Sequence, residues 1–140
     1  MYYAAIIMTV IANIFYHLIQ KATPNNINPM LSLAVTYATA LVASLALLPL
    51  FSGDTPALAA LKKLNWTSYA LGLAIIGLEL GFLLAYRAGW DLSLGALVSN
   101  TAVSLLLIPL GLLLFKEQLT VVNGVGIAFC FIGLLLINSK

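Results

Sequence analysis

"GLAIIGLELGFLLAYRAG", Gly72 to Gly89, places one carboxylate, Glu79, in the middle of a run otherwise fit for oil. Its neighbours are apolar or small for two turns on either side, and the next charge is Arg87. An acidic side chain at the centre of a membrane span costs about 2.5–3.5 kcal/mol to insert. The reading of this stretch therefore decides the fold class, and the reason for that cost points to the function.

The rest of the chain has the same character. Of its 140 residues 63% are hydrophobic and only 7% charged, with a mean hydropathy of +1.11. Soluble domains carry about 25% charged residues. A soluble fold this small exposes much surface, and these charges are too few to cover it. The net charge of +2 is too weak to suggest nucleic acid as a partner. The single cysteine, Cys130, lies inside an apolar block, where it reads as a small hydrophobe. It offers neither an intrachain disulfide nor metal-ligand spacing.

A helix needs about 20 apolar residues to cross a bilayer. Five blocks qualify, at roughly 2–20, 30–51, 66–87, 93–115 and 119–138. Helix is the economical choice because backbone amides in lipid must bond within their own segment. The alternation of a membrane β-barrel is missing. The first block lacks a basic leader and a small-residue cleavage site, so it reads as a retained span. "ATPNNINP" is loop material. "PALAALKKL" reads as a short interfacial helix with Asp54 or Thr55 as N-cap. Trp66 and Trp90 suit the interfacial belt. Pro109 falls inside the fourth span and predicts a kink, because its ring removes an amide that the helix uses. Arg87 and Asp91 read as an interfacial pair or anchor. Glu117 is expected to cap the start of the fifth span.

Five spans put the termini on opposite faces. Lys62, Lys63 and Lys116 then share one side, and Lys21, Arg87 and Lys140 the other. Three against three gives the positive-inside rule little to act on. Either one orientation wins, with the Lys62–Lys63 pair favouring N-inside, or copies insert both ways and pair as antiparallel homodimers.

Polar side chains in a span should face protein or water. Thr9, Asn13, Tyr16, His17 and Gln20 fall on one stripe of the first span. Ser32, Thr36, Thr39 and Ala43 form a small-residue strip in the second, and Ser93, Asn100, Ser104 and Gly111 in the fourth. In the third, Gly77, Gly81 and Ala85 make a ridge expected to nest against a neighbouring helix. Glu79 lies about 200° round the helix from that ridge and shares its face with Gly72, Ile75, Ile76, Phe82, Leu83 and Tyr86. Two roles fit it. A carboxyl able to exist in either protonation state suits proton coupling or cation binding. A protonated one bonded to Asn100 or His17 would be structural glue.

No phosphate-binding glycine loop, Ser/His/Asp set, HExxH or CxxC occurs, so an enzyme is not expected, nor a metal or cofactor. Channel selectivity-filter patterns are missing as well.

"LLIPLGLLLFKEQLTVVNGVGIAFCFIGLLLI", Leu106 to Ile137, resembles the end of an EamA-type repeat of the drug/metabolite transporter superfamily. The likeness rests on an apolar span ending in an acidic turn at Glu117, followed by a span with Gly124 and Gly126 near its start and Gly133 near its end. "GFLLAYRAGWDLSLGALVSNTAVSLLLIPL" resembles the segment before it. The resemblance implies a transporter or exporter of small metabolites or drug-like compounds. Most such proteins carry two inverted repeats around a cavity, whereas this chain carries one. It departs from the pattern at Gln118, where Arg is usual. The last spans are also similar to those of the small multidrug resistance family, which forms antiparallel dimers with a glutamate in the first span. Glu79 stands in the third, so that role is not carried across.

The sequence thus reads as an all-α integral membrane protein of five transmembrane helices, a single domain over 1–140 that dimerises into a ten-helix bundle. The expected function is proton-coupled secondary transport of a small molecule across the cell membrane by a homodimer, antiparallel for preference. Glu79 would be the coupling or substrate-contact group, with Asn13, His17 and Asn100 as polar lining and Tyr86 and Tyr37 as contacts for an organic substrate. The alternative is a non-transporting membrane subunit, or one half of a heterodimer with a second five-span chain.

Overall fold

A computed structural model describes residues 2–51 and 61–137 of the chain. These form five helices: α1 (Tyr2–Ala22), α2 (Pro29–Phe51), α3 (Trp66–Arg87), α4 (Leu92–Leu114) and α5 (Val121–Ile137). The first four are long and apolar enough to cross a membrane, and α5 is a shorter apolar helix of 17 residues. The expected interfacial helix and its caps, Asp54 and Thr55, fall for the most part outside the described residues. The last residues before α3 close a turn in which Leu64 N donates to Leu61 O at 3.2 Å.

The helix ends follow from local chemistry. Asn28 precedes Pro29, whose fixed φ and missing amide suit the first helical position. Its Oδ1 accepts from Met30 N at 2.9 Å and starts α2. Asn65 starts α3 in the same way, accepting from Thr67 N at 3.0 Å and from the Thr67 hydroxyl. α3 stops where Gly89 takes φ 101°, a conformation closed to most side chains. Pro49 and Pro109 both lie inside continuous helices.

The fifth helix is capped by Thr120 rather than by Glu117. The Thr120 hydroxyl accepts from Asn123 N at 3.2 Å, three residues on, which is the N-cap position. Glu117 is drawn the other way. Lys116 adopts φ 53°, and this left-handed residue turns the chain back so that Glu117 N donates to Gly111 O at 3.2 Å. The Glu117 carboxylate then lies against Gly111, where a Cβ would overlap it.

The chain divides into two compact units, Met1–Gly89 and Trp90–Lys140. In the first, α3 packs against both α1 and α2; in the second, α4 packs against α5. The interior is small. Among the described residues the buried large side chains are Leu33, Leu83, Tyr86 and His17. Most leucines, isoleucines and valines face outward, from Ile6 and Ile7 on α1 to Val121 and Val122 on α5. That inversion of the soluble pattern is what a hydrocarbon solvent demands, because lipid offers apolar side chains nothing to escape from.

Candidate functional site

The polar stripe of α1 divides in two. Thr9 and Asn13 are exposed, and the Thr9 hydroxyl donates to its own helix at Ala5 O, 3.0 Å away. One turn further on, Tyr16, His17 and Gln20 face α3. His17 is buried, with 6% of its surface exposed. Its Nδ1 hydrogen-bonds the Tyr86 hydroxyl at 2.9 Å. Edge-on ring contacts surround it: Tyr16 at 5.1 Å, Phe82 at 4.7 Å and Tyr86 at 6.1 Å between centroids. Phe82 and Tyr86, four residues apart on α3, stack at 5.9 Å. The Lys21 ammonium lies 5.5 Å from the centre of the Tyr86 ring.

Glu79 sits on the packed side of α3 and is partly buried, in line with the angular argument from its sequence neighbours. Its backbone carbonyl accepts from Gln20 Nε2 at 2.8 Å, which ties the middle of α3 to α1. Its carboxylate lies close enough to the Tyr16 and Tyr37 hydroxyls to act electrostatically on both. Those two hydroxyls come from α1 and α2, are shut off from solvent and have no hydrogen-bond partner among the described residues. Three helices thus turn a carboxylate and two orphan phenols toward one region.

Tyr37 also lines an open cleft of about 540 Å³, with Ser68, Tyr69, Gly72, Leu73, Ile75 and Ile76 of α3 as the other wall. The cleft ends one turn short of Glu79. The opposite side of α3 is bare: among the described residues a Cβ added at Gly77 or Gly81 would meet nothing within 4 Å. Gly77 and Gly81, the glycines of the ridge expected to nest against a neighbour, meet none among the described residues of their own unit.

Of the six residues singled out in the sequence, the structure brings Glu79, His17, Tyr37 and Tyr86 into one unit. Tyr86 is packed and bonded to His17 rather than open to the cleft. Asn13 faces outward. Asn100 is exposed and belongs to the second unit, in a groove of about 390 Å³ between α4 and α5 that also includes Ser104, Asn123 and Cys130. Two roles were not singled out. Gln20 belonged to the stripe, but its bond to a helix carbonyl has no sequence signature. Arg87 Nη2 donates to Pro24 O at 3.0 Å and Ile27 O at 2.9 Å, holding the α1–α2 loop against the end of α3. No group of three or more His, Cys, Asp or Glu capable of holding a metal occurs among the described residues.

Nothing matches the chain among curated proteins or among solved structures. The model of the EamA-like transporter family matches residues 1–139. Four helices able to span a bilayer, an outward-facing apolar surface and this match together make the chain a membrane protein that belongs to the EamA-like transporter family.

Proposed function

We propose that the protein is a proton-coupled secondary transporter of a small organic molecule, with Glu79 as the group that exchanges a proton for cargo. One observation carries the reading: the Glu79 carboxylate shares its surroundings with two buried, unpartnered hydroxyls, Tyr16 and Tyr37. A buried polar group without a partner costs about 1–3 kcal/mol. A site that leaves two such groups beside an acid is completed by a polar guest. The cleft next to Tyr37 falls in the range of about 300–1,000 Å³ usual for small-molecule pockets and gives that guest a way in.

The working unit in this reading is a homodimer of opposed copies. The even split of basic residues across the membrane faces supports insertion both ways. The open Gly77–Gly81 ridge supports a close helix neighbour from a second copy. Asn13 and Asn100, both outward-facing in one protomer, are assigned to lining that the second copy completes. Alternating access then comes from rocking one bundle against the other.

The test is uptake by purified protein in liposomes under a pH gradient, using a panel of labelled amino acids, nucleosides and organic cations. Whatever the wild type accumulates, Glu79→Gln should fail to accumulate. Uptake that is equal in E79Q overturns the reading. Labels on each terminus, probed in intact cells, should report both faces; a one-sided result overturns the opposed dimer.

A further inference from the structure

The groove of about 390 Å³ between α4 and α5 lies within Trp90–Lys140, the unit that does not hold Glu79. Its two walls carry no charge: neither Leu92–Leu114 nor Val121–Ile137 contains Asp, Glu, Lys, Arg or His. They do carry hydrogen-bonding groups, from Asn100, Thr101 and Ser104 on α4 and from Asn123 on α5. Leu105, Ile108 and Ile127 supply the apolar lining.

Asn100 is set in oil. It lies eight residues inside α4 from Leu92, about 12 Å of helix, and farther from the other end. The hydrocarbon core is about 30 Å thick, so lipid headgroups do not reach that depth. Yet the hydrogen bonds of Asn100 and Asn123 run through their backbones: Asn100 O accepts from the Ser104 hydroxyl, and Asn123 N donates to the Thr120 hydroxyl. Neither side-chain amide has a partner among the described residues. An acyl chain lying in the groove would supply none. A neighbouring helix spends its backbone groups on itself and could answer only with a polar side chain. A small polar guest answers an amide fully, because a carboxamide offers donors and an acceptor together. A charged guest would find no opposite charge on these walls to offset its loss of water. Asn123, two residues in from the start of α5, marks the end of the groove nearest a membrane face.

We propose that the α4–α5 groove is a binding site for an uncharged, hydrogen-bonding solute, held by the Asn100 and Asn123 carboxamides and entering at Asn123. The site is built from one protomer, whatever a second copy adds to its open side, and it does not depend on the role of Glu79. A solute with a carboxamide of its own suits it, since two carboxamides pair donor to acceptor.

Cys130 gives the groove its reporter. The chain's only cysteine lines the groove and is exposed. Methanethiosulfonates react with the thiolate, which forms where water reaches the sulfur. The experiment labels Cys130 with a small reagent of this kind, in the full chain in lipid nanodiscs, with added nicotinamide, its anionic relative nicotinate or its cationic relative 1-methylnicotinamide. Cys130 should react, and nicotinamide should slow the reaction severalfold while the two ions leave it unchanged. Asn100→Ala and Asn123→Ala should each keep Cys130 reactive and lose most of that protection. Ser93→Ala, on α4 outside the groove, should retain it. An unreactive Cys130 means that lipid or a second copy fills the groove, and overturns the site. So does a reaction that nicotinamide does not slow. Equal protection by the ions overturns the uncharged guest, and protection that survives both asparagine variants overturns the role of the amides.

Discussion

The two units of this chain are both built from oily helices, the second's the more apolar, and they treat their polar groups differently. In Met1–Gly89, polar side chains reach across from one element to another: Gln20 to the Glu79 carbonyl, His17 to Tyr86, Arg87 to the loop at Pro24 and Ile27. In Trp90–Lys140 the contacts of Ser104, Thr120 and Glu117 are local. Ser104 donates to Asn100 O on its own helix at 2.8 Å, Thr120 caps its own helix, and Glu117 folds back on Gly111. Amides and hydroxyls are present in both units, so their presence alone does not explain the contrast. Aromatic rings do. Tyr16, Phe82 and Tyr86 keep lipid away from His17, and a hydrogen bond shielded from competitors fixes geometry. The second unit has no such enclosure among its described residues, and its groove between α4 and α5 stays open.

Substitutions can break that contrast, and His17→Ala should have the largest effect. It empties a site enclosed by three rings and removes the hydrogen bond to the Tyr86 hydroxyl, for a loss of about 2–4 kcal/mol in unfolding in mixed micelles. Asn100→Ala, its counterpart in the second unit, removes an exposed side chain and should change stability by no more than about 0.5 kcal/mol. Equal losses would mean that the second unit is as firmly knit as the first. Arg87→Ala should cost about 1–2 kcal/mol, since the two bonds it removes are charge-assisted but partly exposed. The sharper readout is hydrogen exchange, which should speed up at the α1–α2 loop and leave α4 and α5 unchanged.

Two glycine substitutions sharpen the comparison further. At Gly81 an added side chain has room within the protomer. Gly81→Leu should therefore leave the protomer folded and, if the proposed dimer packs through this ridge, lower the cross-linked dimer fraction severalfold; an unchanged fraction would turn that ridge toward lipid. Gly111→Ala should have the smallest effect on stability. Alanine gains about 1 kcal/mol of helix propensity, offset by the displacement of the flexible Glu117 carboxylate that occupies the space. The net change should fall within about 0.5 kcal/mol, but Glu117 should become reactive to a carboxyl-specific reagent. An unreactive Glu117 would show that the carboxylate had never been held there.

The helices were legible in the sequence because their signal is long: five apolar blocks, each bounded by proline, asparagine or charge. Glu79's face was legible too, since the position of Ile75, Ile76, Phe82 and Leu83 beside it follows from helical period alone. What period cannot supply is which neighbour a face meets and how far along it the contact extends. Thr9, Asn13, Tyr16, His17 and Gln20 share an angle, yet α3 covers only the last three. Helical period offers Glu79 either Asn100 or His17 as a partner and does not tell which helices pack together. Glu117 was assigned to the helix after it because carboxylates favour N-termini. A single left-handed residue at Lys116 sent it to the helix before, and no side-chain pattern announces such a dihedral. The Thr120 hydroxyl, one residue ahead of α5, was better placed for the cap.

The bond from Gln20 to the carbonyl of Glu79 has a consequence for how the protein moves. It fastens the segment bearing the acid to the first helix at the same height in the bundle, so the two travel as one strut. In the proposed cycle, a swing that presents Glu79 first to one compartment and then to the other carries α1 along for as long as this bond holds, and pivots elsewhere than at the α1–α3 seam.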